Sequence, residues 1–239
     1  MCAWPRVDQS LSRYGYASRR QGAEWVRSGR VRLAGGEAVR DVGDRIDPAL
    51  LRVDGEAIEY PSGLLVMLHK PVGYVCSHGS AEGPTVYDLL PERWMSRLPP
   101  PASVGRLDKD TSGLLLITDD GDLIHRWTSP KRGAPKVYEA RVGTEPQAGA
   151  EALFASGEWL LEGEPKACRP ATLERVGPGH VRVTVTEGKY HQVRRMLAGV
   201  GAEVLALHRV RFGDYELGDL AVGSWRALER PEQPSRGVK

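Results

Sequence analysis

The chain has 239 residues, 41% of them apolar and 27% charged, with a formal net charge of +2. This composition suits a small domain joined to a larger one, and its near-neutral balance excludes bulk charge as the source of any nucleic-acid affinity. Cys2, Cys76 and Cys168 are too scattered for a disulfide framework or a Cys-based zinc site, and suit a reducing compartment. No apolar run approaches the roughly 20 residues that span a bilayer. Met1 to Val7 lacks the apolar stretch of a signal peptide, so the expected location is the cytoplasm, with no membrane partner.

In chain order, residues 1–60 read as a small unit with a linker. Ser18, three residues before Gln21, forms a capping-box pattern that opens a helix through Ser28, with Gly29 at the C′ position. Ala23 and Val26 supply its inward stripe, Trp25 packs at the edge, and Arg19, Arg20 and Arg27 project outward. Arg13, Arg30 and Arg32 extend this basic stretch, against Glu24 alone. Val31 and Leu33 alternate with arginines as a short strand, followed by turns at Gly35-Gly36 and Asp41 to Asp44. Glu59 to Gly63 reads as a linker.

Residues 61–230 form the larger unit, and 231–239 a flexible polar tail. Leu64 to Leu68 and Leu114 to Ile117 are continuous apolar runs, read as buried strands; the second is closed by a turn at Asp119-Asp120-Gly121. Ala134 to Val142 is a strand entered from a second basic stretch, Arg126, Lys131, Arg132, Lys136 and Arg141 against Glu139. Val181, Val183 and Val185 alternate with polar residues as a half-buried strand. Val193, Met196, Leu197 and Val200 share one face of a helix from Tyr190 to Ala198, ended by Gly201, and Val204 to Leu207 returns as a strand. Many strands, few helices and no βαβ rhythm indicate an α+β class. GxGxxG, Walker A and HExxH motifs are absent from the sequence, so nucleotide hydrolysis and zinc peptidase chemistry have no support.

Three segments carry chemistry. Gly105-Arg106-Leu107-Asp108-Lys109-Asp110-Thr111-Ser112-Gly113 places carboxylates at a strand end, where they are shielded yet open to substrate; equally, Asp108 and Asp110 fit as turn or cap acceptors. In Glu187-Gly188-Lys189-Tyr190-His191-Gln192-Val193-Arg194-Arg195-Met196, the arginines flank an apolar face, where they either favour an ionised carboxylate nearby or meet phosphate and solvent. His191 reads as a hydrogen-bonding side chain, since no spaced ligands accompany it to hold a metal. Tyr138, in Lys136-Val137-Tyr138, is either half-buried packing or a ring that stacks on a base.

Together these segments resemble the catalytic core of the pseudouridine synthases, in the branch of bacterial ribosomal enzymes with an N-terminal S4 domain; Ala17 to Arg20 through Gly29 to Val31 is similar to that S4 domain. The resemblance implies a mixed or antiparallel sheet with a central cleft, Asp108 as the catalytic carboxylate, Tyr138 as the active-site tyrosine and Arg194 as the carboxylate's partner. It further implies RNA contacts from Arg19, Arg20, Arg27, Arg106, Lys136 and Arg195, no cofactor or metal, and a monomer. Lys70-Pro71-x-Gly73-Tyr74-Val75-Cys76-Ser77, His125-Arg126-x-Thr128-Ser129-Pro130, Arg169-Pro170-Ala171-x-Leu173-Glu174 and Leu207-His208-Arg209 resemble members that act on 16S rRNA or a small-subunit assembly intermediate at position 516. Members acting on 23S rRNA share the framework, and a non-catalytic S4-type RNA-binding protein or an RNA hydrolase using Asp108 and Asp110 are the alternatives. The chain departs from the S4 pattern at Ala34-Gly35-Gly36, where Asn-Gly is common, and in its longer lead-in, Met1 to Asp8.

Overall fold

A computed structural model describes residues 4–79, 81–129 and 133–231. In the N-terminal part, α1 (Val7–Arg13) and α2 (Arg19–Arg27) pack with a sheet of β1 (Val31–Leu33), β2 (Leu51–Val53) and β3 (Glu56–Ala57). The capping box forms: the Gln21 N–H donates to Ser18 Oγ at 3.3 Å and the Ser18 N–H to Gln21 Oε1 at 3.0 Å. Gly29, at φ +72°, lets the chain leave α2 in the left-handed conformation. The buried positions of α2 are Gly22 and Val26, with Ala23 only half-buried. The helix α1 begins inside what reads as a lead-in, and its Val7 and Leu11 are fully buried in a core with Val26, Val31, Leu51 and Ile58. That core is small, and few apolar residues announce it.

The expected linker is clamped. Arg97 is fully buried, with Nε and Nη2 each 2.8 Å from Asp119 Oδ2, Nη1 donating to the Glu59 carbonyl and Nη2 to the Tyr60 carbonyl, both at 3.2 Å. The Tyr14 hydroxyl donates to the Pro61 carbonyl at 2.7 Å, and the Leu98 N–H to the Arg13 carbonyl at 2.9 Å. Gly15, at φ +76°, permits the close approach: a Cβ there would lie 2.5 Å from the Arg93 carbonyl oxygen. These bonds fix the small unit against the large one.

The large unit contains β4 (Leu65–Lys70), α3 (Glu92–Met95), β5 (Ala102–Ser103), β6 (Thr111–Thr118), α4 (Gly121–Thr128), β7 (Lys136–Val142) and α5 (Ala150–Ser156). It continues with β8 (Thr172–Gly177), β9 (His180–Val185), α6 (Gln192–Gly199), β10 (Val204–Phe212), β11 (Tyr215–Glu216) and β12 (Trp225–Ala227). The sheet runs β12-β4-β6-β10-β7-β9-β8, with β5 on β6 and β11 on β10. Among the described strands only β6 and β10 pair in parallel, so the sheet is mixed. Leu114 to Ile117 is continuously apolar because both faces are covered: Leu115 and Ile117 join α5 and α6 in the main core, while Leu114 and Leu116 face Met67 and α4.

Asp119-Asp120-Gly121 is not a simple turn. Asp120 Oδ1 accepts the N–H groups of Asp122 and Leu123 at 2.9 and 3.1 Å and thereby starts α4. Among the described residues no helix is long and apolar enough to cross a membrane. Residues 232–239 of the expected tail, and Pro130, Lys131 and Arg132 in the second basic stretch, lie outside the described residues.

Candidate active site

The parallel β6–β10 pairing builds the floor of the site. Gly113 makes it possible: at φ +112°, its Cβ would lie 2.2 Å from the Arg209 carbonyl oxygen and 2.6 Å from the Arg209 nitrogen. Strands β6, β7 and β10, the turn before β6 and the start of α6 then enclose a cavity of about 1030 Å³. Asp108, Tyr138 and Arg194, far apart in sequence, all line it.

Asp108 lies in the turn that enters β6, where its carbonyl accepts the Thr111 N–H at 3.1 Å. Its side chain is 30% exposed, open enough to meet a substrate atom. Beneath the turn, fully buried Lys70 donates from Nζ to the carbonyls of Thr111 (2.7 Å), Pro71 (3.0 Å) and Lys109 (3.3 Å). Burial pushes the Lys70 ammonium below its ordinary value, and the charges of Asp110 and Asp108 act against that shift. Lys70 therefore ties the turn to β4 and places a cation under its two carboxylates. The Cys76 thiol, pushed up by burial, contacts Leu107 at 3.4 Å and supports the same turn as packing rather than as a nucleophile.

The charge partners differ from those implied by the resemblance. Asp108 Oδ1 lies 3.3 Å from His191 Nε2, whereas Arg194 Nη2 lies 3.0 Å from Asp110 Oδ2 and donates to the Asp110 carbonyl at 3.2 Å. The cause is local geometry. His191 precedes α6 in the left-handed region (φ 46°, ψ 33°), which turns its ring across the cavity to Asp108. Arg194, one turn into the helix, meets the carboxylate two residues further on, and its Nε is buried without a partner among the described residues.

Tyr138 is 8% exposed, and its hydroxyl lies 3.5 Å from Arg209 Nη1. Arg209 is 1% exposed, donates from Nε to the Leu114 carbonyl at 2.8 Å, and leaves Nη2 without a protein partner among the described residues. Lys136 stands beside it, lowered to about 8 chiefly by burial and then by the Arg209 charge. The cavity floor around Tyr138 is thus strongly cationic.

The basic residues separate into two groups. Arg19, Arg20 and Arg27 on α2, and Arg106 at the cavity rim, are exposed and have no ion pair among the described residues. Lys136 and Arg195, by contrast, are engaged within the protein. Lys136 is partly buried and donates to the Ala134 carbonyl at 3.0 Å. Arg195 pairs with Glu164 at 3.0 Å and donates to the carbonyls of Glu162 and Tyr190, so it braces the loop before α6. The burial of Lys70 and Arg209 and the pairing of His191 with Asp108 are the features that sequence patterns miss. Lys70 and Arg209 sit at fully buried strand positions, and nothing local distinguishes a buried cation from a solvated one. No group of three or more metal-ligating side chains occurs among the described residues.

A cleft carrying an aspartate, a tyrosine and clustered basic side chains thus lies on a mixed sheet, beside a small unit with a basic helix. The chain belongs to the RNA pseudouridylate synthase family, whose profile matches residues 64–199, preceded by an S4 domain at residues 5–49. It is therefore an isomerase of the pseudouridine synthase type. The ribosomal small subunit pseudouridine synthase A of Yersinia pestis is 40% identical over 98% of each chain. That of Escherichia coli strain K12 is 38% identical over 95% of this chain and 97% of its own. A crystal structure of a pseudouridylate synthase, 35% identical, superposes with a TM-score of 0.65 over 94% of this chain and 96% of that one.

Proposed function

We propose that this enzyme converts one uridine of small-subunit ribosomal RNA to pseudouridine, at position 516 of 16S rRNA, with Asp108 initiating base detachment. The relatives that match nearly the whole chain are named for the small ribosomal subunit, which supports the target. The observation that carries the catalytic assignment is the placement of Asp108, partly exposed, in one cavity with Tyr138 and a cationic floor.

The isomerisation breaks N1–C1′, turns the uracil while it is held, joins C5 to C1′ and finally releases the C5 proton. Nothing is oxidised and no group is donated, so side chains suffice. Asp108 in its carboxylate form either attacks C1′ or removes a sugar proton on a glycal route. Tyr138 stacks on the uracil or passes a proton at C5. Arg209, close to that hydroxyl, and Lys136, lining the same cavity, supply positive charge where the detached uracil carries negative charge. His191 holds the Asp108 carboxylate toward the cavity before substrate enters. Arg19, Arg20 and Arg27 add phosphate contacts that position the RNA without reading its sequence.

The test maps pseudouridine in 16S and 23S rRNA by modification-specific chemical probing, with wild-type enzyme and Asp108→Asn. We expect product at a single 16S site and a loss of about a thousandfold or more for the variant at unchanged RNA affinity. Normal yield from Asp108→Asn would remove the catalytic assignment, and product in 23S rRNA alone would move the target. Tyr138→Phe is expected to lower kcat about a hundredfold, to be read in single-turnover assays.

A further inference from the structure

The exposure of Tyr190 is organised rather than incidental. The ring is 70% exposed, yet it lines the same cavity as Asp108 and Tyr138. One face lies on the imidazole of His191, with centroids 3.9 Å apart and planes inclined by 17°. His191 in turn reaches Asp108 at 3.3 Å. A line therefore runs from the Asp108 carboxylate through one ring to a second ring at the rim.

The segment that presents Tyr190 is held from several directions. Its carbonyl accepts from Arg195 Nη1 at 3.1 Å. Lys189 pairs with Glu164 at 3.3 Å and donates to the Lys166 carbonyl at 2.9 Å. Gln192 accepts the Lys189 N–H at 3.0 Å and donates to Glu187 at 2.9 Å. The left-handed backbone of His191 sets the angle between the rings. The Tyr190 hydroxyl makes no hydrogen bond among the described residues, so nothing ties the ring to a structural role through its polar end. One face is covered, one is open, and the mount is rigid.

We propose that the open face of Tyr190 is a stacking subsite for the nucleobase adjacent to the target uridine in the RNA chain. The proposal rests on the RNA-modifying role argued above. Withdrawing a base from its stack strips a face from its neighbour, and an aromatic ring at the mouth of the site replaces that face. Stacking of this kind tolerates any base but favours the larger purines. The exposed Arg106, without an ion pair among the described residues, lines the same cavity and suits the phosphate of a nucleic acid better than a protein surface.

The test compares wild-type enzyme with Tyr190→Ala, Tyr190→Phe and Tyr190→Leu on three forms of a 16S rRNA fragment spanning the target. One form is intact, and the others are abasic at the 5′ or the 3′ neighbour. On intact RNA we expect Tyr190→Ala to raise Kd and KM about tenfold, within the range for a lost base–aromatic stack, with kcat within about twofold. Tyr190→Phe should match wild type and Tyr190→Leu should fall between. On one abasic form, wild type should lose the same factor and Tyr190→Ala nothing further. Unchanged Kd for Tyr190→Ala, fully additive losses on both abasic forms, or a loss confined to kcat would each overturn the subsite. Absence of pseudouridine with wild-type enzyme would instead defeat the isomerase assignment to this RNA, while the Kd comparison would still decide the stacking contact.

Discussion

Among the described residues two arginines are buried almost completely, and their surroundings could hardly differ more. Arg97, at the junction of the two units, has every nitrogen engaged, by Asp119 and by the carbonyls of Glu59 and Tyr60. Arg209, on the cavity floor, has one good bond to a carbonyl, a long one to a tyrosine hydroxyl, and a nitrogen with no partner among the described residues. A buried guanidinium cannot shed its charge, so solvent lost on burial must be replaced by acceptors. At the junction the protein replaces it. In the cavity, full replacement awaits whatever negative charge enters. Of these two arginines, the satisfied one joins the units and the unsatisfied one lines the cavity.

Substitutions can break that contrast. Arg97→Met leaves Asp119 buried without its cation and should cost about 3–5 kcal/mol in urea unfolding, with kcat of the folded fraction unchanged. A loss below about 1 kcal/mol would show that the junction contributes little. Gly113→Ala forces a Cβ onto the Arg209 backbone and should cost about 1–3 kcal/mol while also lowering turnover, since it separates β6 from β10. Turnover equal to wild type in that variant would detach the strand pairing from the site.

Arg209→Met should behave in the opposite way to Arg97→Met. Relief of an incompletely solvated charge offsets the lost bond to Leu114, so stability should shift by no more than about 1 kcal/mol. Single-turnover kcat should nevertheless fall at least about tenfold, because Tyr138 and the uracil lose a cation. A stability loss as large as that of Arg97→Met, with normal kcat, would make the two arginines equivalent.

The smallest effect concerns Lys136, whose ammonium falls from 10.5 to about 8 on folding. Above pH 10.5 the group is neutral in both states and costs nothing. As pH falls toward 8, the unfolded chain takes up a proton that the folded chain resists, so folding is penalised progressively and then constantly below 8. Lys136→Met escapes this penalty. Its stability relative to wild type should therefore rise as pH is lowered from 10.5 to 8, and then level off. A difference that stays flat across that window would show that Lys136 is not lowered by burial.

Much of this was legible in the linear chain. The Ser18–Gln21 box, the alternating valines of β9 and the spacing of Val193, Met196 and Leu197 each encode a local conformation, because capping and amphipathic burial act over a few residues. α1 was hidden by its few apolar positions, and α4 by an Asp-Asp-Gly that serves equally as a turn and as a cap. The motifs around Asp108, Tyr138 and Arg194 fall on segments that line one cavity.

By itself, then, the sequence determined α2 with its basic character and the strands around Leu65, Leu114, Val137 and Val181, since these follow from interactions between near neighbours. Tertiary structure alone decided the pairings. It gave Asp108 to His191 and Asp110 to Arg194, placed Lys70 beneath both carboxylates, and left Arg209 without a full complement of acceptors. Those outcomes depend on distances across a parallel strand pair whose partners, Gly113 and Arg209, are 96 positions apart, and electrostatics inside a protein is set by distance and burial, which no local pattern records.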